Sequence, residues 1–270
     1  MTRHVLGLDT STLSISLALV RLHPDGGWEV VASRDRGAEG PNHSTLLPGW
    51  IEEVLKEGGL ELRGLDGISV GLGPGGFTGL RIALATAKGI AYAARVPLVG
   101  VSTLEAMALR AAPRVPEARS IVAMLDARKQ EVYAGFFRRA AVAGAEVGAS
   151  TRDDAAAGGG SAPAVAPLFA EHEVVSKPAV IAERLRTLEG PLALLGEGYL
   201  AYREIFDEAT DGLRISPAEA LPWTPNAVEI ARLGAPLLGP YSKEAVFALE
   251  PRYIRPSDAE FTVPSSRGKV

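Results

Sequence analysis

The sequence predicts an α/β protein of two similar lobes, each laid out βββαβα, and three observations carry that prediction. Apolar, β-branched runs open the chain and are separated by turn residues, as in a meander of strands. Strand-like and helix-like segments then alternate on either side of a glycine-rich stretch, Gly71–Gly89. After the helical "TLEAMALRAA" a comparable order begins again.

Taken in order, "RHVLGLDTSTLSISLALVRL" supplies two strands joined at Asp9–Thr12, and "GWEVVASRD" supplies a third. "NHSTLLPGWIEEVLKEGG" has helical periodicity, with Asn42 or Ser44 as N-cap and Gly58 and Gly59 as a stop. The strand "LDGISVGLG", the helix "FTGLRIALATAKGIAYAARV" and the strand "PLVGVS" complete the first unit. In the second, "RSIVAMLDARKQ" and "EVYAGFFRR" are strands hinged on Asp126. "EVVSKPAVIAERLRTL" gives a short strand and a helix, and "GPLALLGEGYLAYREIF" another of each. The expected division is a first lobe of residues 1–104 and a second of 105–255, with an Ala/Gly-rich surface loop near 138–170 and a mobile tail, 256–270. Two facing βββαβα units are the arrangement of the actin-like ATPase and sugar-kinase superfamily (ASKHA), an analogy of fold that supplies no function by itself.

Composition narrows the function. The 270 residues are 47% hydrophobic and carry a net charge of −4, which argues against a protein that grips nucleic acid mainly through its own phosphate contacts. The absence of cysteine excludes disulfides and thiolate metal sites and fits a reducing compartment. "MTRHVLGLDTS" turns polar too early for a signal peptide, and no apolar run reaches membrane-spanning length, so a soluble cytoplasmic protein without a membrane partner is expected.

The glycines of "GLGPGGFTG" invite a nucleotide reading that their neighbours oppose. A phosphate-binding P-loop needs Lys and then Ser or Thr after its last glycine, and Phe77 stands there instead. Gly71, Gly73 and Gly76 match a dinucleotide fingerprint, but the following strand, "VPLVGVS", lacks the acid that would hold a ribose, and Pro74 removes an amide. A structural turn that launches a helix is the better reading. Two readings stay open for Asp9, Thr10, Ser11 and Thr12. In one, their backbone and hydroxyls cradle phosphates while Asp9 orients a magnesium ion through water; in the other they form a Ser/Thr-rich turn in which Asp9 bonds its own backbone. The matching "DARKQE" at Asp126 lacks glycine and small hydroxyl residues, so at most half a nucleotide site is expected.

The helix after the glycines is small on several sides, with Ala83, Ala85, Ala87, Gly89 and Ala91, which permits another helix to approach closely. A neighbour in the same chain accounts for this equally well. The preceding helix carries Leu46, Leu47, Trp50, Ile51, Val54 and Leu55 on more than one apolar stripe, and a second stripe points to a partner surface.

In order and spacing, "VLGLDTSTLSISLAL", "HSTLLPGWIEEVL", "GLGPGGFTGLRIALATAKGIA", "GVSTLEAMA", "LDARKQEVYAG" and "PRYIR" resemble the bacterial TsaB family, also called YeaZ. The resemblance covers most of Val5–Tyr133, is most specific in "GPGGFTGLRIALATAKG", and thins afterward. It implies a non-catalytic subunit of the machinery that makes threonylcarbamoyladenosine beside the anticodon of tRNAs reading codons that begin with A. It further implies a catalytic TsaD paralogue and a TsaE ATPase as partners, a homodimer when alone, and indirect contact with tRNA. No cofactor of its own is expected, with ATP or ADP at a shared partner interface left open. The expected partner interface comprises His43, Leu46, Leu47, Trp50, Ile51, Val54, Arg81, Leu84, Ala87 and Lys88. The catalytic paralogue carries two histidines four residues apart on a helix; here His43 is followed by Leu47 at that spacing, and His4, His23 and His172 have no such mate. The competing class is an enzyme, either an ATP-dependent transferase or a metal-dependent glycoprotease-like protein.

Overall fold

The computed structural model describes residues 1–37, 43–139, 168–214, 221 and 223–255. Most of the 138–170 loop and the whole 256–270 tail lie outside them.

The first lobe is a five-stranded sheet in the order β3-β2-β1-β4-β5, built from β1 (Arg3–Asp9), β2 (Ile15–Leu22), β3 (Trp28–Arg36), β4 (Gly67–Gly71) and β5 (Leu98–Val101). The three opening strands pair antiparallel, whereas β4 joins β1 and β5 joins β4 in parallel, because a helix crosses over before each of them. Successive residues of β1 point to opposite faces, and both faces are dry. Leu6 and Leu8 pack under α1 (His43–Glu57) and α2 (Phe77–Ala94), while Val5 packs with Ala227 and Ala231. Gly59, at φ +64°, ends α1 in the left-handed cap expected of the Gly58–Gly59 pair. Ser44 lies inside this helix, and Asn42 is outside the described residues.

The second sheet repeats the plan in the order β8-β7-β6-β9, from β6 (Ser120–Arg128), β7 (Glu131–Arg139), β8 (Leu168–Ser176) and β9 (Leu192–Leu195). The fifth strand is reduced, among the described residues, to one parallel bridge from Leu192 to Arg214, on the outer side of β9. Alternation along β6 again serves two cores. Ile121, Ala123 and Leu125 meet α3 (Thr103–Ala111), and Val122 and Met124 meet α4 (Pro178–Arg186), α5 (Glu197–Ala201) and α6 (Arg203–Ala209). The chain crosses between lobes at Ser102, whose hydroxyl caps α3 by accepting from Glu105 N at 3.2 Å.

Two further helices return to the first lobe. Residues 227–248, which the expected division counts with 105–255, form α7 (Ala227–Gly234) and α8 (Lys243–Ala248). α7 covers the open face of β1, β2 and β4, and α8 lies on α2. A polar network pins α7: Ala227 N donates to Ser16 Oγ at 2.7 Å, Asn226 Nδ2 to Asp35 Oδ1 at 3.2 Å, and Ser69 Oγ to Ile230 O at 2.7 Å.

Candidate functional site

The β1–β2 hairpin and the glycine turn meet at the N-terminus of α2, and each contact there has a local cause. Asp9 Oδ1 accepts from Ser11 N at 2.9 Å and from Ser11 Oγ at 2.7 Å, an Asx-turn that closes the hairpin on itself. Thr10 Oγ1 donates to Gly79 O at 2.7 Å, Gly76 N donates to Ser11 O at 2.6 Å, and Thr12 Oγ1 accepts from Ser14 N at 3.1 Å. Close approach is why glycines stand here: a Cβ on Gly75 would sit 2.3 Å from Ser11 O, and one on Gly79 only 1.8 Å from Thr10 O. The far side of the turn is held by Thr103, whose N donates to Gly73 O at 3.0 Å and whose Oγ1 donates to Pro74 O at 2.8 Å. "GLGPGGFTG" is thus a packed turn between hairpin and helix.

Asp9 is 1% exposed, and its Oδ2 is buried without a hydrogen-bond partner. Burial pushes the carboxyl up from 3.8 to about 6, against the opposing pull of its two bonds from Ser11. A phosphate or a hydrated magnesium ion fits this arrangement poorly. The Ser11 amide, the Gly76 amide and the Thr10 hydroxyl already have acceptors, and Asp9 keeps its second oxygen enclosed. The second hairpin is built differently. Asp126 Oδ1 accepts from Arg128 N at 2.8 Å, its Oδ2 lies 3.0 Å from the Arg128 guanidinium, and Arg128, Lys129 and Gln130 take left-handed φ values of 60°, 53° and 60°. Bulky side chains crowd the tip where a phosphate loop would have glycine.

The residues expected at a partner surface divide. Leu47, Ile51, Val54, Leu84 and Ala87 are buried in the first-lobe core, packed by their own chain. The physical reason is that α1 touches β2, β3 and α2 at once and needs two apolar stripes for its own chain. Leu46 and Trp50 are half-buried at the edge of that core, Arg81 is exposed, and half-buried Lys88 donates to Phe247 O at 2.9 Å. The side chain of His43 lies outside the described residues.

The outer face of α2 also carries a seam of exposed aromatics that periodicity did not single out. The Phe77 ring stacks on Tyr253 at 5.4 Å, the Arg81 guanidinium sits 3.6 Å over Phe77, and Arg81 Nε donates to Tyr253 Oη at 3.0 Å. Tyr92 meets Phe247 edge-on at 5.6 Å. Only the motif "PRYIR" hinted at this, since Tyr253 is remote in sequence. Among the described residues no three His, Cys, Asp or Glu side chains gather as a metal site, and no helix is long and apolar enough to cross a membrane.

Comparison with known proteins gives a consistent set of likenesses. The family model TsaD, described as tRNA N6-adenosine threonylcarbamoyltransferase, matches residues 38–235. The tRNA threonylcarbamoyladenosine biosynthesis protein TsaB of Escherichia coli is 29% identical over 251 residues, 93% of this chain and 94% of that one. Its Haemophilus influenzae counterpart is 37% identical over 129 residues, 48% and 51% of the two chains. Among solved structures, YeaZ from Pseudomonas aeruginosa aligns with a TM-score of 0.59 at 27% identity, covering 86% of this chain and 91% of that one. A P. aeruginosa protein described as similar to peptidase YeaZ aligns at 0.64 and 26% identity, covering 94% and 100%. With the doubled strand order, these likenesses make the fold the two-lobed actin-like one.

Proposed function

This chain belongs to the TsaD-type tRNA N6-adenosine threonylcarbamoyltransferase family, and within it to the TsaB (YeaZ) proteins, paralogues of TsaD; on that premise we propose that it is a non-catalytic scaffold subunit of the threonylcarbamoyladenosine machinery. It acts in the cytoplasm, supports a TsaD-like catalytic paralogue, is joined by a TsaE-like ATPase, and pairs with its own copy when alone. The modified tRNA is reached through the partner.

One observation carries the reading. The hairpin that would cradle phosphates in this fold is closed by its own Asx-turn and by the glycine turn laid against it. A phosphoryl-transfer enzyme needs donors aimed at developing charge, and here they are taken. Docking is assigned to the outer side of α1 and α2, with Arg81, Trp50, Leu46 and Lys88 in contact and His43 at the helix start. Leu47, Ile51, Val54, Leu84 and Ala87 act beneath them by fixing how the two helices lie.

The test is a paired one. The isolated protein is expected to hydrolyse no ATP above background, and it is expected to co-elute with a TsaD-like paralogue. Arg81→Glu together with Trp50→Glu should abolish co-elution while leaving far-UV circular dichroism unchanged. Turnover by the isolated chain that disappears in Asp9→Ala would overturn the non-catalytic role, and a double variant that still binds at wild-type strength would remove this face from the interface.

A further inference from the structure

The segment "PRYIR" lies along the seam between the lobes and touches them by turns. Arg252 N donates to Leu72 O at 2.8 Å in the first lobe, while its guanidinium sits 2.7 Å from Glu173 Oε2 on β8 of the second. That Glu173 oxygen is buried and has no aligned hydrogen bond, so the guanidinium charge is its compensation; Oε1 takes the Ser102 hydroxyl at the chain crossing. Tyr253 goes back to the first lobe, stacked on Phe77 and accepting from Arg81. Arg255 crosses again: it donates to Ala127 O at 2.9 Å and to Arg128 O at 3.4 Å, and it pairs with Glu131, all at the β6–β7 hairpin.

Four attachments alternating between two bodies within four residues do more than stabilise one surface. The chain crosses between the lobes at Ser102 and again before α7, and beside these crossings α3 meets α7 and Thr103 holds Gly73 and Pro74; segments of this kind, where two bodies share few strands of chain, are where lobes hinge. We propose that residues 251–255 are a clasp that fixes the angle between the lobes, a tie on the far side of the seam added to the crossings and to the α3–α7 contact, where Ala106 packs on Ile230. Rotation about the crossings separates the hairpin from α2, so it must break either the Arg255 contacts or the Arg81–Tyr253–Phe77 stack. The inference does not depend on what the protein docks.

The chain has no cysteine, so Glu52→Cys on α1 and Glu183→Cys on α4, both exposed, accept one spin label per lobe. Pulsed electron–electron distance measurement on the full labelled chain should give one narrow distribution. Arg252→Ala with Arg255→Ala should broaden it and add a second population, with far-UV circular dichroism retained. If that variant does not fold, Arg255→Glu is read instead: it should broaden the distribution, and adding Glu131→Arg should narrow it again. A distribution that stays narrow in the folded double variant, or in Arg255→Glu, overturns the clasp, as does a failure of Glu131→Arg to restore it.

Discussion

Asp9 makes the stability of the fold depend on pH in a direction opposite to most carboxylates. Its folded-state value is raised from 3.8 to about 6, so the native protein binds the proton more tightly than the unfolded chain does. The stabilising preference is fully present below 3.8 and is lost as pH rises through 6. A displacement of roughly two units, at 1.36 kcal/mol each, makes the loss about 3 kcal/mol by neutral pH, a large share of a typical domain's stability. Asp9→Asn keeps an oxygen for the two bonds from Ser11 and removes the ionisation. Its amide nitrogen falls where Oδ2 has no partner, a cost of about 1–3 kcal/mol that is the same at every pH. Urea unfolding of both proteins from pH 4 to pH 7 isolates the effect, because burial raises Glu105, Glu197 and Glu229 alike in both and their contributions cancel in the difference. The variant is expected to gain about 2 kcal/mol on the wild type across that window, the rest of the effect lying below pH 4. Parallel stability curves would show that Asp9 stays ionised in the folded state and would refute the reasoning from burial.

Gly79→Ala places a carbon 1.8 Å from Thr10 O, a backbone atom that cannot step aside, and loosens the Thr10–Gly79 and Gly76–Ser11 bonds. Overpacking plus the weakened bonds should cost about 3 kcal/mol or more, and an unchanged urea midpoint would contradict the packed turn. Ala87→Glu buries an unpaired charge at a site that is 0% exposed, so it should unfold the first lobe rather than only release a partner; a variant with wild-type melting temperature would return Ala87 to the surface. With a net charge of −4, the isolated chain should bind tRNA weakly and with strong salt sensitivity, and tight binding at physiological salt would contradict this.

The parts of this fold that sequence reveals are those governed by local pattern. The strands around Asp9 show as apolar runs on both sides of a polar turn, and the Gly59 cap shows because its left-handed geometry selects glycine. The contacts of Asp9 were open between two readings because a Ser/Thr-rich turn and a phosphate cradle use the same residues; the Gly79 and Gly76 contacts, 69 residues away for the Thr10 bond, separate them. The second apolar stripe of α1 is plain in the sequence, but whether β3 and α2 or a partner covers it depends on how three elements pack. α7 escaped for a similar reason. It is short, and what holds it to the first lobe, Ser16 and Asp35, lies 191 or more positions earlier.

The placement of α7 also orders events during synthesis. The first sheet has all its strands once Val101 is made, yet the face bearing Val5, Ala18 and Val20 waits for Ala227 and Ala231. At about 5–20 residues per second, the ribosome needs on the order of ten seconds to close that gap. Throughout it, the emerging chain presents a five-stranded sheet with one oily side bare, a surface suited to capture by a chaperone that binds hydrophobic segments. The second lobe is translated entirely within this interval, so its sheet can form while the first is still waiting for its lid.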